Sequence, residues 1–287
     1  MQPSLDDDKR IKDLGDINDR LIVFGGAYSN LEATKALFLK AEALGVPADR
    51  IICTGDIVAY CALPEETSEF IRTQNIHCVR GNCEEAISRE ALDCGCGFET
   101  GSSCDALSAQ WYRYTQENTS LKSKEWMGSL PANLSFTMKG LEFLVVHGGV
   151  SQINTFVFPS SDTKQKDLEL SGAGVDVIIG GHSGIPFGEV LPSGFWLNAG
   201  VIGMPANDGT TDGWYMLLEP VKHGISVSWY RLSYDYHLAA EHMRQAGLNT
   251  AYAEALSAGL WPSFDILPDL ERQQAGQALT ITDLMLV

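Results

Sequence analysis

Three short apolar runs, each ending in a glycine turn, decide the fold: LIVFGG (21–26), RIICTGD (50–56) and HCVRGN (77–82). Helical patterns separate them, since apolar residues recur at helical spacing over 30–45 and a second helix is predicted over 64–72. Three successive strand–turn–helix units predict right-handed crossovers and a largely parallel sheet at this end of the chain.

The pattern of predicted secondary structure changes after this region. Residues 84–130 are polar and helical, with a break at Cys94-Gly95-Cys96-Gly97, and 133–138 and 141–146 form a hairpin pattern joined by Lys139-Gly140. A helix is predicted around 238–246. Further short strands are predicted at 175–179, 187–191, 195–198, 214–218 and 225–230. The pattern favours one domain built on two sheets with helices outside.

The domain prediction has three parts. Residues 1–19 are polar and acidic and are expected to form a flexible arm. Residues 20–262 form a single domain with a helical cap at about 84–130, and residues 263–287 form a C-terminal tail.

Composition narrows the class of protein. The 287 residues include 37 acidic and 20 basic side chains, a net charge of −17, which argues against binding to nucleic acid or to an anionic membrane surface. No apolar run is long enough to span a membrane, and the N-terminus lacks the pattern of a secretory signal. The composition leaves the oligomeric state open.

Seven cysteines all lie between positions 53 and 104. An odd number leaves at least one free thiol, and the chain is too large for a typical disulfide scaffold. We therefore expect a reducing compartment and a cytoplasmic protein. The cluster is consistent with a metal or redox role, and also with cysteines that pack as small core residues.

Four polar clusters follow predicted strands, where ligands bind in open α/β sheets. They contain Asp56, Asn82, His147 and His182, each with a glycine close by. Carboxylate, amide and imidazole donors converging from four strand ends suit Zn, Mn, Fe or Ni better than Mg or Ca. The sequence therefore predicts a site for a divalent transition metal.

Six motifs in order carry a family resemblance: GGAYSNLEATKAL, GDIVAYCALPEE, RGNCEE, VVHGG, GGHSGIP and LNAGVIGMP. The chain resembles the calcineurin-like metallophosphoesterases, in particular their small bacterial phosphodiesterase branch, from about Leu21 to Gly259. The resemblance implies an α/β fold, a four-layer αββα sandwich of two mixed sheets. It also implies a two-metal centre at the strand ends that hydrolyses phosphate esters.

The chain departs from the family pattern at one of the two metal sites. The family's Asp-x-His motif falls on Gly26 and Tyr28, and the last histidine of Gly-His-x-His falls on Gly184. The resemblance makes Asp56 the bridging carboxylate and assigns the second metal to the other three ligands, Asn82, His147 and His182. We therefore expect one bound metal, because three of the four ligands of the first ion are missing.

Several further side chains are candidates for the chemistry. Cys83 stands where the family has the histidine that protonates the leaving group, and its role as ligand, nucleophile or small filler is open. Cys61, Cys94 and Cys96 are candidate thiol ligands, and the last two with Cys83 form either a sulfur-rich site, a redox couple or part of a plain glycine-rich loop.

Two more residues have alternative roles. Tyr28 either donates a hydrogen bond to a substrate oxyanion or fills the space of the missing metal. Arg80 precedes the Gly81-Asn82 turn and either meets a phosphate or forms a structural ion pair.

Three functions are compatible with these features. The first is a metal-dependent hydrolase of small phosphate esters, either phosphodiesters or phosphomonoesters, with an altered single-metal centre. The second is a metalloenzyme that uses one metal and cysteines for non-phosphoester chemistry. The third is a non-catalytic protein that binds a ligand or partner through the same cleft. The expected substrate is a small anionic molecule.

Overall fold

The structure, a computed structural model, describes residues 11–287. The strands are β1 Ile11–Asp16, β2 Leu21–Phe24, β3 Ile51–Cys53, β4 His77–Cys78, β5 Asn133–Met138, β6 Leu141–Val145, β7 Val177–Gly180, β8 Phe187–Leu191, β9 Gly194–Asn198, β10 Gly213–Val221, β11 Gly224–Leu232 and β12 Leu284–Leu286. The helices are α1 Leu31–Leu44, α2 Pro64–Gln74, α3 Asn82–Ser88, α4 Ser103–Glu117, α5 Leu121–Ser129, α6 Thr163–Ala173, α7 Tyr236–Gln245, α8 Thr250–Ala258 and α9 Asp269–Gln274.

Within the described residues, these strands form two six-stranded mixed sheets. The first has the order β1-β5-β6-β7-β9-β8, and the second has the order β12-β11-β10-β2-β3-β4. Strands β2, β3 and β4 are parallel to one another, as are β6, β7 and β9. The predicted parallel sheet at the N-terminal end is therefore correct.

Strand β2 shows how the layers are built. Its side chains alternate between the two faces of the sheet, so Leu21 and Val23 face the core between the sheets, while Ile22 and Phe24 face the outer helices. On the other sheet, Ile178 and Trp196 pack outward with Leu170 of α6. This arrangement confirms the four-layer αββα sandwich.

The ends of the chain differ from the sequence-based expectation. Residues 1–10 of the expected flexible arm lie outside the described residues, but Ile11–Asp16 forms β1, which pairs in parallel with β5. Its side chains are largely exposed, so main-chain hydrogen bonds rather than burial hold it. In the expected tail, Leu284–Leu286 forms β12 against β11, with Leu286 fully buried.

The region predicted as a helical cap contains α3, α4 and α5. Helices α6, α8 and α9 were not predicted from the sequence. Between residues 11 and 287, no helix is both long and apolar enough to cross a membrane.

Candidate metal centre

Four side chains from four strand ends meet at one point between the sheets. Nε2 of His147 lies 2.9 Å from Oδ1 of Asn82, 3.1 Å from Nδ1 of His182 and 3.4 Å from Oδ1 of Asp56. Ligand atoms that each sit about 2.1 Å from one ion are separated by roughly 3.0–3.4 Å in octahedral or tetrahedral geometry. Asp56, His147 and His182 form a group able to hold a metal ion, and Asn82 adjoins it.

Hydrogen bonds fix which atoms of this cluster face each other. Nδ1 of His147 lies 2.7 Å from the carbonyl oxygen of Thr54, so this nitrogen carries the proton and Nε2 presents its lone pair in the neutral ring. Nδ2 of Asn82 donates to the carbonyl oxygen of Cys94 at 2.9 Å, which turns Oδ1 toward His147. Facing acceptors of this kind need a shared cation or proton, so the donor set fits a metal ion.

Charges within the cluster shift its titration. Burial opposes ionisation of Asp56, but His147 and His182 outweigh burial and hold the pKa of this carboxyl below its usual value. Burial also disfavours the charged form of His147, yet the Asp56 carboxylate outweighs burial and raises the pKa of His147. Burial and then the positive charge of His147 lower the pKa of His182 to about 3. His182 is therefore a neutral donor at physiological pH.

Two of these residues have strained backbones. Asp56 has φ of 57° and His182 has φ of 60°, and both angles lie in the left-handed region that L residues rarely adopt. Strain of this kind is held in place by surrounding structure and concentrates at functional sites. The fold therefore positions these two side chains at a conformational cost.

Glu84 holds the two loops that carry Asp56 and Asn82. Its Oε1 accepts hydrogen bonds from the amides of Ile57 (2.7 Å) and Val58 (3.3 Å). Its Oε2 accepts from the amides of Asp56 (2.8 Å) and Gly81 (2.9 Å). Burial and the Asp56 charge raise the pKa of Glu84 to about 7, although the hydrogen bonds from the amides of Gly81 and Asp56 act to lower it. Sequence reasoning missed this role, although a glutamate three residues after a helix cap is a recognisable capping signal.

Aromatic rings lie beside the two glycines that stand at ligand positions of the first metal in the resemblance. A Cβ atom at Gly26 would lie 2.5 Å from the Tyr28 ring and 2.6 Å from Val201. A Cβ atom at Gly184 would lie 3.2 Å from the Trp261 ring. The Tyr28 ring thus takes the space of a side chain at position 26. The contact of Trp261 was not predictable, because it joins distant parts of the sequence.

A cavity opens beside the metal ligands, and six aromatic residues contribute to its lining. The cavity has a volume of about 70 Å³, which is room for several water molecules. Its lining includes Asp56 and His182 of the metal cluster. Its aromatic walls, which sequence reasoning did not identify apart from Tyr28, include Tyr28, Tyr60, Phe98, Phe156, Tyr252 and Trp261.

The candidate thiols take different places. Cys94 and Cys96 are joined by a disulfide, so neither sulfur is a free thiol ligand in this structure, although a redox couple stays open for this pair. Cys61 is buried with its sulfur toward the carbonyl of Gly203. Cys83 is a buried free cysteine beside Asn82, with the two side chains 3.6 Å apart. Among residues 11–287, no cysteine belongs to the candidate metal-binding group.

Cys83 and Arg80 both lie close to carboxylates. Burial, and then the Asp56 and Glu84 carboxylates, raise the pKa of the Cys83 thiol well above its ordinary value. Nη2 of Arg80 lies 3.6 Å from Oε1 of Glu85, and Arg80 is not part of the cavity lining. Roles for Cys83, Arg80 and Tyr28 in a reaction stay predictions.

Comparison with known proteins agrees with the fold and the motifs. A family model described as the calcineurin-like phosphoesterase superfamily domain matches residues 20–222. The chain belongs to this superfamily. The predicted family is therefore confirmed.

Individual relatives of this superfamily member are distant. An uncharacterized protein of Methanocaldococcus jannaschii (MJ0912) is 27% identical over 261 residues, covering 85% of this chain and 99% of that protein. A metallophosphoesterase from Sphaerobacter thermophilus has 23% identity and a TM-score of 0.64, covering 85% of this chain and all (100%) of that one. The hypothetical protein PH1004 of Pyrococcus horikoshii has 18% identity and a TM-score of 0.72, covering 84% and 99%. At these identities the two structures support the fold.

Proposed function

We propose that this protein hydrolyses small anionic phosphate esters at a centre that holds one divalent transition metal. The observation that carries the proposal is the cluster of Asp56, Asn82, His147 and His182, in which distances from His147 Nε2 to the other three donors are 2.9–3.4 Å. The proposed ions are Zn, Mn, Fe and Ni, which suit a mixed nitrogen and oxygen donor set.

Aromatic packing at the two glycines that stand at ligand positions of the first ion supports a single ion. The Tyr28 ring stands where a side chain at position 26 would project, and Trp261 packs over Gly184. A second ion at this place needs donors, and the residues that fill it offer an aromatic surface instead.

Each ligand has a defined task in this proposal. When bound, a divalent metal polarises a phosphoryl oxygen and acidifies water. Asp56 supplies the negative charge of the site, while His147, oriented by Thr54, and Asn82, oriented by Cys94, supply neutral donors. Glu84 fixes the loop of Asp56 through three amide hydrogen bonds and the Gly81 turn before Asn82 through a fourth.

Elemental analysis and phosphoesterase assays of protein purified without oxygen test the proposal. The double variant His147→Ala/His182→Ala should lose both the metal and the hydrolysis of phosphodiesters and phosphomonoesters. A control with two exposed histidines, His223→Ala/His237→Ala, should keep both. Unchanged metal content in the first double variant would refute the assigned site.

The same experiment distinguishes the alternative functions. Metal-loaded protein that cleaves no phosphate ester would favour non-phosphoester chemistry on this fold. Protein that retains no metal and shows no activity would favour a ligand-binding role for the cleft.

A further inference from the structure

The lining of the cavity next to the metal ligands contains two groups of aromatic rings. The Phe156 ring lies 4.2 Å from the His182 ring, centroid to centroid, and thus extends directly from a ligand. Tyr28, Tyr60 and Tyr252, which also line the cavity, form a chain of rings with successive centroids 4.8 Å apart. A flat apolar group packed against these rings is removed from water beside the reacting centre.

The polar groups of the cavity limit the charge of its ligand. The described lining contains no lysine or arginine, and its two groups from the metal cluster are Asp56 and His182. A divalent ion and the Asp56 carboxylate together give one net positive charge, because the histidine ligands are neutral. A phosphodiester monoanion balances this charge, whereas a phosphomonoester dianion leaves an excess negative charge in a largely apolar cavity.

The lining is also poor in groups that protonate a leaving group. Apart from Asp56 and His182, the described lining has no carboxyl or imidazole group, and its remaining acids are phenols and a thiol. Cys83, at the position that the resemblance assigns to the acid, does not line the cavity. A phenol has a pKa of about 10, against about 16 for water and similar values for simple alcohols. An aryl oxide therefore departs without the help that an alkoxide needs.

We propose, on the basis of the function proposed above, that the substrate is a phosphodiester monoanion with a planar aryl leaving group packed against the rings of Phe156, Tyr28 and Tyr60. In the reaction, a water oxygen forms the new phosphorus–oxygen bond. The bond between phosphorus and the aryl oxygen breaks, and its electron pair leaves on the aryl oxide. The displaced water proton passes to solvent, and the products are a phosphomonoester and a phenol or phenolate.

Binding of inert anions to the metal-loaded protein tests the cavity without turnover. Diphenylphosphinate and dimethylphosphinate are both monoanions without a hydrolysable ester bond, and they differ in their aryl groups. Calorimetry should show that diphenylphosphinate binds about tenfold or more tightly, because a phenyl ring is buried. Equal affinities would overturn the inference, and this comparison needs no variant.

A pair of phenylalanine variants locates the binding surface. Phe156→Leu should reduce the preference for diphenylphosphinate to about threefold or less, since the ring beside His182 is lost. Phe70→Leu removes a similarly half-buried ring from a separate groove and should leave the preference unchanged. An equal effect of both variants, or of neither, would contradict the assignment to this cavity.

Hydrolysis rates then separate the substrate inference from the proposed function. With phenyl p-nitrophenyl phosphate, diphenyl phosphate and phenyl methyl phosphate, kcat/KM for release of nitrophenol, phenol and methanol should fall steeply in that order. Rapid methanol release would overturn the aryl-leaving-group inference while leaving a phosphoesterase. No hydrolysis of any ester with intact aryl preference in binding would refute the proposed function and the substrate role, leaving an aryl-binding cavity.

Discussion

Replacement of Gly26 by aspartate is the sharpest test of whether the first metal position is filled by the protein itself. This substitution restores the residue type that the family resemblance places there. Gly26 has φ of 43°, so any L side chain at this position is strained. The new Cβ would also lie 2.5 Å from the Tyr28 ring and 2.6 Å from Val201, well inside normal contact distance.

The expected loss of stability has two parts. A left-handed backbone costs a non-glycine residue roughly 1–2 kcal/mol. Overpacking against fixed neighbours costs about 1–3 kcal/mol. We therefore expect Gly26→Asp to reduce the free energy of unfolding by about 2–5 kcal/mol. This is a large share of the roughly 5–15 kcal/mol that stabilises a typical domain.

Chemical denaturation of metal-free protein measures this loss. The matched control is Gly45→Asp, since Gly45 ends α1 with φ of 68° and nothing lies within 4 Å of a Cβ there. The control carries the same backbone cost, about 1–2 kcal/mol, and a smaller cost of about 0.3–1 kcal/mol for a negative charge at the C-terminus of α1, but no steric overlap. Equal losses in the two variants would refute the claim that the Tyr28 ring fills the position. Added Tyr28→Ala should recover part of the loss at position 26 and none at position 45.

Three further predictions concern the site and the sheet edge. Glu84→Gln places a side-chain NH2 group against two of the four backbone amides that now donate to the carboxylate. Metal affinity, measured with a competing chelator, should therefore fall about 10–100-fold. The control Glu85→Gln, at the adjacent residue, should change the affinity little. The raised pKa of His147 and the pKa of about 3 for His182 predict that metal binding displaces one histidine proton. Affinity should therefore rise with pH below the raised His147 pKa and level off above it, with a slope of about one in log units, and a slope near two would contradict this assignment. Leu286→Ala should destabilise the protein by about 2–5 kcal/mol in thermal or chemical unfolding, whereas Met285→Ala, half-exposed on the same strand, should cost less than about 0.5 kcal/mol.

The candidate ligands could be found from sequence because strand topology brings them together. Asp56 and Asn82 follow neighbouring parallel strands β3 and β4, and His147 and His182 follow β6 and β7 in the facing sheet. The carboxyl ends of parallel strands lie at the same edge of a sheet. The position of a polar residue after a strand and a glycine turn therefore predicts where in the fold that residue lies. No long-range contact had to be known in advance.

Elements that depend on main-chain pairing or distant packing could not be found in this way. Strand β1 shows little burial, so its sequence carries no period that distinguishes it from an extended loop. Trp261 reaches Gly184 across the fold, and neither residue indicates the other.

The departures from the family pattern are related through the leaving group. In a two-metal mechanism, the pair of ions stabilises both the attacking and the leaving oxygen, and a general acid also protonates the leaving oxygen. The chain replaces residues of the first site with a glycine beneath the Tyr28 ring and another beneath Trp261, and it replaces the acid with Cys83. The first change removes a metal ion that would stabilise the leaving oxygen, and the second removes the acid that would protonate it. Both changes leave the ligands of the second site in place. An aryl oxide needs this help least, and the rings that fill the first site are also the surface on which an aryl group would pack.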